Sequence, residues 1–168
     1  PSRGLGDVYK RQSEGIIKTA NFAREKNIPY LGICFGFQLA AVSFARNVCN
    51  HSDANSTEIE NSTSNPIIDL LPEQDGVTDM GGSLRLGANE INVKPDTIAN
   101  RIYGKSTISK RHRHRYEFNT KYLNEFAEKG MIFSGESDNG RRMEILEIPD
   151  HKFFVGVQFH PEFNSRPG

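Results

Sequence analysis

The sequence predicts an α/β fold, a central and mostly parallel sheet flanked by helices. Three observations predict it: a helical period over residues 13–27, a short apolar run at 28–33, and a second helical period over 36–50. Helix, strand and helix at this spacing form the repeating unit of α/β layers. The chain has 168 residues, 36% of them hydrophobic, enough for one domain with a sizeable core.

In the first helix, Ser13 is positioned as an N-cap, and Ile16, Ile17, Ala20 and Ala23 recur on one face. The run 28–33 is apolar enough for a strand buried on both sides. In the second helix Leu39, Val42, Ala45 and Cys49 share a face, which places Cys49 in the core. Residues 50–65 are polar and read as a loop. Short β-like pieces are expected in 66–100, around 80–87. A short helix is expected at 121–129, and a strand pair at 142–148 and 153–159. Residues 1–12 are basic and glycine-rich with no period; they are expected to be a non-native leader outside a domain at 13–168. The sequence also reads as a domain truncated at both ends.

Lys plus Arg equals Asp plus Glu, 21 of each, so no net charge draws the chain to nucleic acid or an anionic membrane. No apolar run approaches the roughly 20 residues of a membrane helix. Two cysteines without a CxxC pair make neither a disulfide framework nor a zinc site, and suit a reducing cytoplasm. The two Asn-Ser-Thr triplets, at Asn55 and Asn61, lack the secretory context that glycosylation requires.

Gly32-Ile33-Cys34-Phe35-Gly36 lies between the predicted strand and helix. It has the G-x-nucleophile-x-G form, with Cys in place of Ser. A sharp strand-to-helix turn exposes the side chain at its apex, and flanking glycines let chain and helix pass closely. The helix N-terminus faces the sulfur and favours a thiolate, and the Phe35 N–H is placed to donate to an oxyanion. A buried core cysteine at a tight turn fits the pentapeptide about equally well. Farther on, Phe159-His160-Pro161-Glu162 follows the last predicted strand. Residues two apart on an extended chain point the same way, so Glu162 can orient His160 as the base for a thiol.

Residues 29–38 together with Phe159-His160-Pro161-Glu162 resemble the class I, triad-type glutamine amidotransferases, whose fold is flavodoxin-like. Asp53 to Glu58, the MGGSLRLG stretch, the RHRHRYEFN string and the closing VQFHPEFNSRP resemble the CTP synthase branch of that family. The resemblance implies that Cys34 is the nucleophile, His160 the base and Glu162 its partner. It implies that Phe35, Gly36, Phe37 and Gln38 contact a bound glutamine, that Glu58 holds its α-amino group, and that Arg115 holds its α-carboxylate. The implied reaction is hydrolysis of L-glutamine through a thioester on Cys34, to feed ammonia to UTP. In that family a synthetase domain, absent here, uses ATP and Mg2+, GTP activates the glutaminase, and the enzyme is a cytoplasmic homo-oligomer, a tetramer. No cofactor or metal is expected for this chain by itself, and no nucleic-acid or membrane partner. Two features depart from the family: residues 1–12 stand where a glycine-rich oxyanion segment is expected, and Phe35 and Phe37 are bulky enough to narrow the pocket. Another triad amidotransferase, and an inert binding module, are the alternative functions.

Overall fold

A computed structural model describes residues 5–71 and 84–164. Helix α1 (Leu5–Glu25) is followed by strand β1 (Tyr30–Ile33) and helix α2 (Phe35–Asn47). Next come β2 (Asn55–Ser56), β3 (Pro66–Asp69), β4 (Arg85–Val93), α3 (Ile98–Tyr103), β5 (Thr107–His114) and β6 (Glu117–Phe118). A 3-10 turn at Thr120–Tyr122 enters α4 (Leu123–Glu128), and β7 (Ile132–Ser137), β8 (Arg142–Glu147) and β9 (Phe154–Val157) complete the set. A 3-10 turn at Pro161–Asn164 follows β9.

The larger sheet has six strands in the order β1-β9-β8-β7-β4-β5, and a second has the order β2-β3-β6. The α/β class is as expected, but the expectation of a mostly parallel sheet is corrected. Within the six-stranded sheet only β1 and β9 pair in parallel, and the other described pairings are antiparallel. Short connections between β7, β8 and β9 force the chain to reverse at each step, whereas β1 and β9 come from distant parts of the sequence.

Helix α1 begins at Leu5, so part of the expected leader is helical and Ser13 is not a cap. Its hydroxyl donates to the Tyr9 carbonyl at 2.8 Å, one turn back within the helix. The predicted face is otherwise correct: Ile17, Ala20 and Ala23 are buried. Helix α2 is buried continuously from Phe37 to Ala45, because it lies between α1 and the sheet. It sits close to β9 because Gly156 has no side chain. A Cβ there would lie 3.3 Å from the Phe37 Cα.

Two cores form. One joins α1, α2, Phe118, Phe126 and Phe154; the other gathers Ile91, Ile108, Ile145, Val155, Val157 and Phe159. Adjacent residues Phe154 and Val155 enter different cores, as alternation along β9 requires. Helix α3 was not legible in the sequence. Its first amides, at Ile98 and Ala99, donate to the buried Glu147 carboxylate at 2.8 and 3.1 Å, a cap supplied from β8.

Candidate functional site

The site lies where β1 and β9 end side by side. Their parallel register pairs Ile33 with Val157, so Cys34 leaves one strand as Gln158 to His160 leave the other. The Cys34 N–H donates to the Val157 carbonyl at 2.7 Å. Cys34 itself has φ 51° and ψ −100°, a left-handed-side conformation that a non-glycine residue rarely adopts. This is the strained apex that the G-x-C-x-G spacing predicts. The turn holds because Gly32 meets the Gly36 backbone directly and because the Tyr30 hydroxyl donates to the Gly36 carbonyl at 2.9 Å.

His160 is set by two contacts. Its N–H donates to the Arg111 carbonyl at 2.9 Å, and its Nδ1 stands 2.6 Å from Glu162 Oε1. A carboxylate accepts, so Nδ1 carries the proton and Nε2 is left as the basic nitrogen. Slight burial works to raise Glu162, but the His160 hydrogen bond, a backbone amide and the His160 charge together outweigh it and hold the carboxyl below its ordinary range. The Phe163 ring stacks on the imidazole with centroids 5.0 Å apart.

Among the described residues no hydrogen bond joins Cys34 to His160. The thiol instead faces the Arg113 carbonyl at 3.9 Å, and Gln158 Nε2 stands 3.8 Å from the sulfur. Burial pushes the Cys34 thiol up to about 11; the Phe35 amide pulls it down, and Glu162 and Glu58 oppose that pull. Against the expectation of a thiolate, burial of the sulfur outweighs the Phe35 amide and raises the thiol above its ordinary value.

A cavity of about 660 Å3 opens beside the sulfur, lined in part by Cys34, Phe35, Gln38, Glu58, Arg115 and Tyr9. Five of the predicted residues thus share one pocket. Burial raises Glu58, and the nearby Arg115 charge opposes the rise. The expectation for Phe37 is corrected: its side chain is fully buried and packs edge-on against Phe133, because the face of α2 that carries it turns to the core. It does not narrow the pocket. Gly36 contributes to the turn rather than to the pocket lining. Phe35 does line the cavity, stacked on Tyr9 with centroids 5.6 Å apart. Tyr9 belongs to the segment set aside as a leader, and nothing in its local sequence marked it.

The RHRHR string shows why its alternation matters. Arg111 and Arg113 are exposed while His112 and His114 are buried, so the string is not a continuous cationic surface. Its backbone positions the site. The carbonyls of Arg111, Arg113 and Tyr116 accept from the His160 amide, the Cys34 thiol and the Gln38 side chain respectively. Beneath it, His114 Nδ1 faces the Tyr116 carbonyl at 3.2 Å and so carries a proton. His114 Nε2 then accepts from His112 Nδ1 at 2.9 Å. Burial, then the Arg85 charge, depress these rings to about 2 for His112 and about 3 for His114. His112, His114 and Glu144 bring metal-ligand atoms within 4.8 Å of one another. Glu144, however, is already paired with the Arg85 guanidinium and the Ser137 hydroxyl. Cys49 is buried, as expected of a core residue.

A strained cysteine at a strand-to-helix turn, a carboxylate-oriented histidine just past the end of the neighbouring parallel strand and a pocket that holds an acid and a base come together at this end of the sheet. The model of the class-I glutamine amidotransferases matches residues 2–168, and the chain belongs to that family. More particularly, it is 57% identical over 162 residues to the CTP synthase of Archaeoglobus fulgidus, covering 96% of this chain and 30% of that protein. It is 54% identical over 157 residues to the CTP synthase of Staphylococcus saprophyticus, covering 94% of this chain and 29% of that one. The chain thus spans under a third of these relatives' length. Its fold matches the glutaminase domain of the Trypanosoma brucei CTPS, solved with bound acivicin, at a TM-score of 0.85 and 36% identity, over 90% of this chain and 59% of that one. Among the described residues no helix is long and apolar enough to cross a membrane.

Proposed function

We propose that this chain is the glutaminase unit of a CTP synthase, and that it hydrolyses L-glutamine through a thioester on Cys34. The observation that carries this is the shared pocket: Cys34 lies at one part of it, with Glu58 and Arg115 as an acid and a base within the same lining. A free amino acid presents an ammonium and a carboxylate at its head and, in glutamine, an amide at its far end. One acid, one base and a nucleophile in one cavity suit that molecule.

His160 Nε2 takes the thiol proton as the Cys34 sulfur attacks the side-chain carbonyl carbon. Because burial keeps the resting thiol neutral, proton transfer accompanies attack rather than preceding it. The tetrahedral oxyanion receives the Phe35 N–H at the start of α2. Collapse breaks the C–N bond, and the imidazolium returns its proton to the leaving amine, giving ammonia and a glutamyl thioester. His160 then deprotonates a water that attacks the thioester, releasing glutamate and restoring the thiol. Glu162 steadies the imidazolium throughout. In the free state the thiol faces the Arg113 carbonyl, so its proton turns to His160 as substrate binds.

In the whole enzyme, on this reading, ammonia passes to a synthetase part that aminates UTP to CTP with ATP and Mg2+. GTP acts as an activator, and the assembly is a cytoplasmic homotetramer. The residues of this chain supply ammonia alone. The test is ammonia release from glutamine by the parent chain and by Cys34→Ala. The parent is expected to release it, and the variant to lose turnover while still binding glutamine. Ammonia release retained in the variant removes the nucleophile. No release by the parent leaves a binding module in its place.

A further inference from the structure

We propose that Gln158 is a positioning residue for the Cys34 sulfur, holding it through an N–H···S contact whose direction is locked by Gln38. This rests on Cys34 as the reactive group but goes beyond the triad. Gln158 is fully buried, two residues before His160 and hence on the same face of the outgoing chain. Its backbone N–H donates to the Glu144 carbonyl at 2.8 Å, which fixes the residue against β8.

A buried side-chain amide must place both its oxygen and its nitrogen, and here each has one partner. Gln38 Nε2 donates to the Tyr116 carbonyl at 3.0 Å and to Gln158 Oε1 at 3.2 Å. A carbonyl only accepts, so the end of Gln38 that faces Tyr116 must be its nitrogen. Gln158 therefore presents its oxygen to Gln38 and its own NH2 to the sulfur, at 3.8 Å. The direction of each amide follows from the one before it, beginning at a backbone carbonyl.

Gly156 makes the meeting possible. On the same face of β9 and two residues earlier, it lets α2 approach closely, so that Cys34 and Gln38 come down over Gln158. An N–H donated to sulfur is stronger when the sulfur is negative, so the contact steadies the sulfur as charge moves onto it during attack. It works in the same direction as the Phe35 amide.

The readout is the pH profile of iodoacetamide alkylation at Cys34, scored by mass spectrometry beside unfolding curves, in the parent, Gln158→Met, Gln158→Glu and Gln38→Met. Met keeps the length of Gln without its N–H. Gln158→Met is expected to shift the alkylation profile up by about one pH unit, slowing labelling near neutrality about tenfold. Gln158→Glu, which sets a carboxylate by the sulfur, is expected to shift it further. Gln38→Met, which frees Gln158 to turn, is expected to shift it less. A purely packing role would leave the Met profile on that of the parent, and superimposed profiles in the folded variant overturn the proposal. If Gln158→Met does not fold, an unshifted Gln158→Glu profile overturns it equally. Because alkylation needs no glutamine turnover, this outcome is independent of whether Cys34→Ala abolishes ammonia release.

Discussion

A Cβ on Gly32 would stand 2.7 Å from the carbonyl carbon and oxygen of Gly36, so the two glycines that bracket Cys34 touch backbone to backbone. The same Cβ would meet Tyr30 Cε1 at 2.9 Å. Gly32→Ala must therefore displace either the start of α2 or the Tyr30 ring. It is expected to destabilise the fold by about 1–3 kcal/mol, measured by urea unfolding. It is also expected to lower turnover more than stability alone explains, because the apex itself moves. An alanine variant with unchanged stability and activity would show that the turn has slack.

The hydrogen bond between His160 and Glu162 fixes the tautomer, and Glu162→Gln reverses its logic. A glutamine can face Nδ1 with either its oxygen or its NH2, so the imidazole loses its fixed orientation and its electrostatic support. Turnover of glutamine is expected to fall about 10²-fold or more, with little change in unfolding free energy because the carboxylate is half exposed. A kcat within threefold of the parent would place the orienting group elsewhere.

On the proposed reading Glu58 and Arg115 hold the amino-acid head of glutamine, so their removal is expected to act on binding. Glu58→Gln and Arg115→Met should each raise KM about 10- to 100-fold, the scale of a charge-assisted hydrogen bond of about 1.5–3 kcal/mol, with a smaller change in kcat. A fall in kcat with unchanged KM would count against their place at the amino-acid head.

The buried thiol has its own pH signature. With Cys34 pushed up to about 11, alkylation of the free chain is expected to climb about tenfold per pH unit from pH 7 to pH 9. A plateau near neutrality would mean that a thiolate is already formed.

Acid stability follows from the paired histidines. In the unfolded chain both rings take up protons below about pH 6.5, whereas His112 and His114 in the fold stay neutral down to about 2 and about 3. Their contribution to stability is present above the unfolded value and lost as pH falls. Glu117, which burial and then Glu144 raise to about 7, works in the opposite sense between there and its unfolded value. The clean measure is a difference. Going from pH 7 to pH 5, His112→Gln is expected to lose about 2 kcal/mol less than the parent, by urea unfolding. Equal losses would show that His112 is protonated within the fold.

Some of this site could be read directly. Gly32, Cys34 and Gly36 are spaced by local backbone sterics, and His160 and Glu162 by the two-residue repeat of an extended chain, so short-range geometry carried both. Gln158 was equally within reach by that repeat, being two residues before His160, but a buried amide announces nothing until its partners are known.

The sequence by itself determined the turn, the oriented imidazole and the amphipathic face of α1, because each depends on neighbours within a few residues. Only the tertiary structure decided that the sheet is mixed, that Phe37 faces the core, that Tyr9 reaches the pocket, and that burial raises the thiol. Those outcomes depend on which distant strand lies alongside, how closely Gly156 admits α2, and how much water is excluded from the sulfur. Such quantities exist only once separate parts of the chain have packed together.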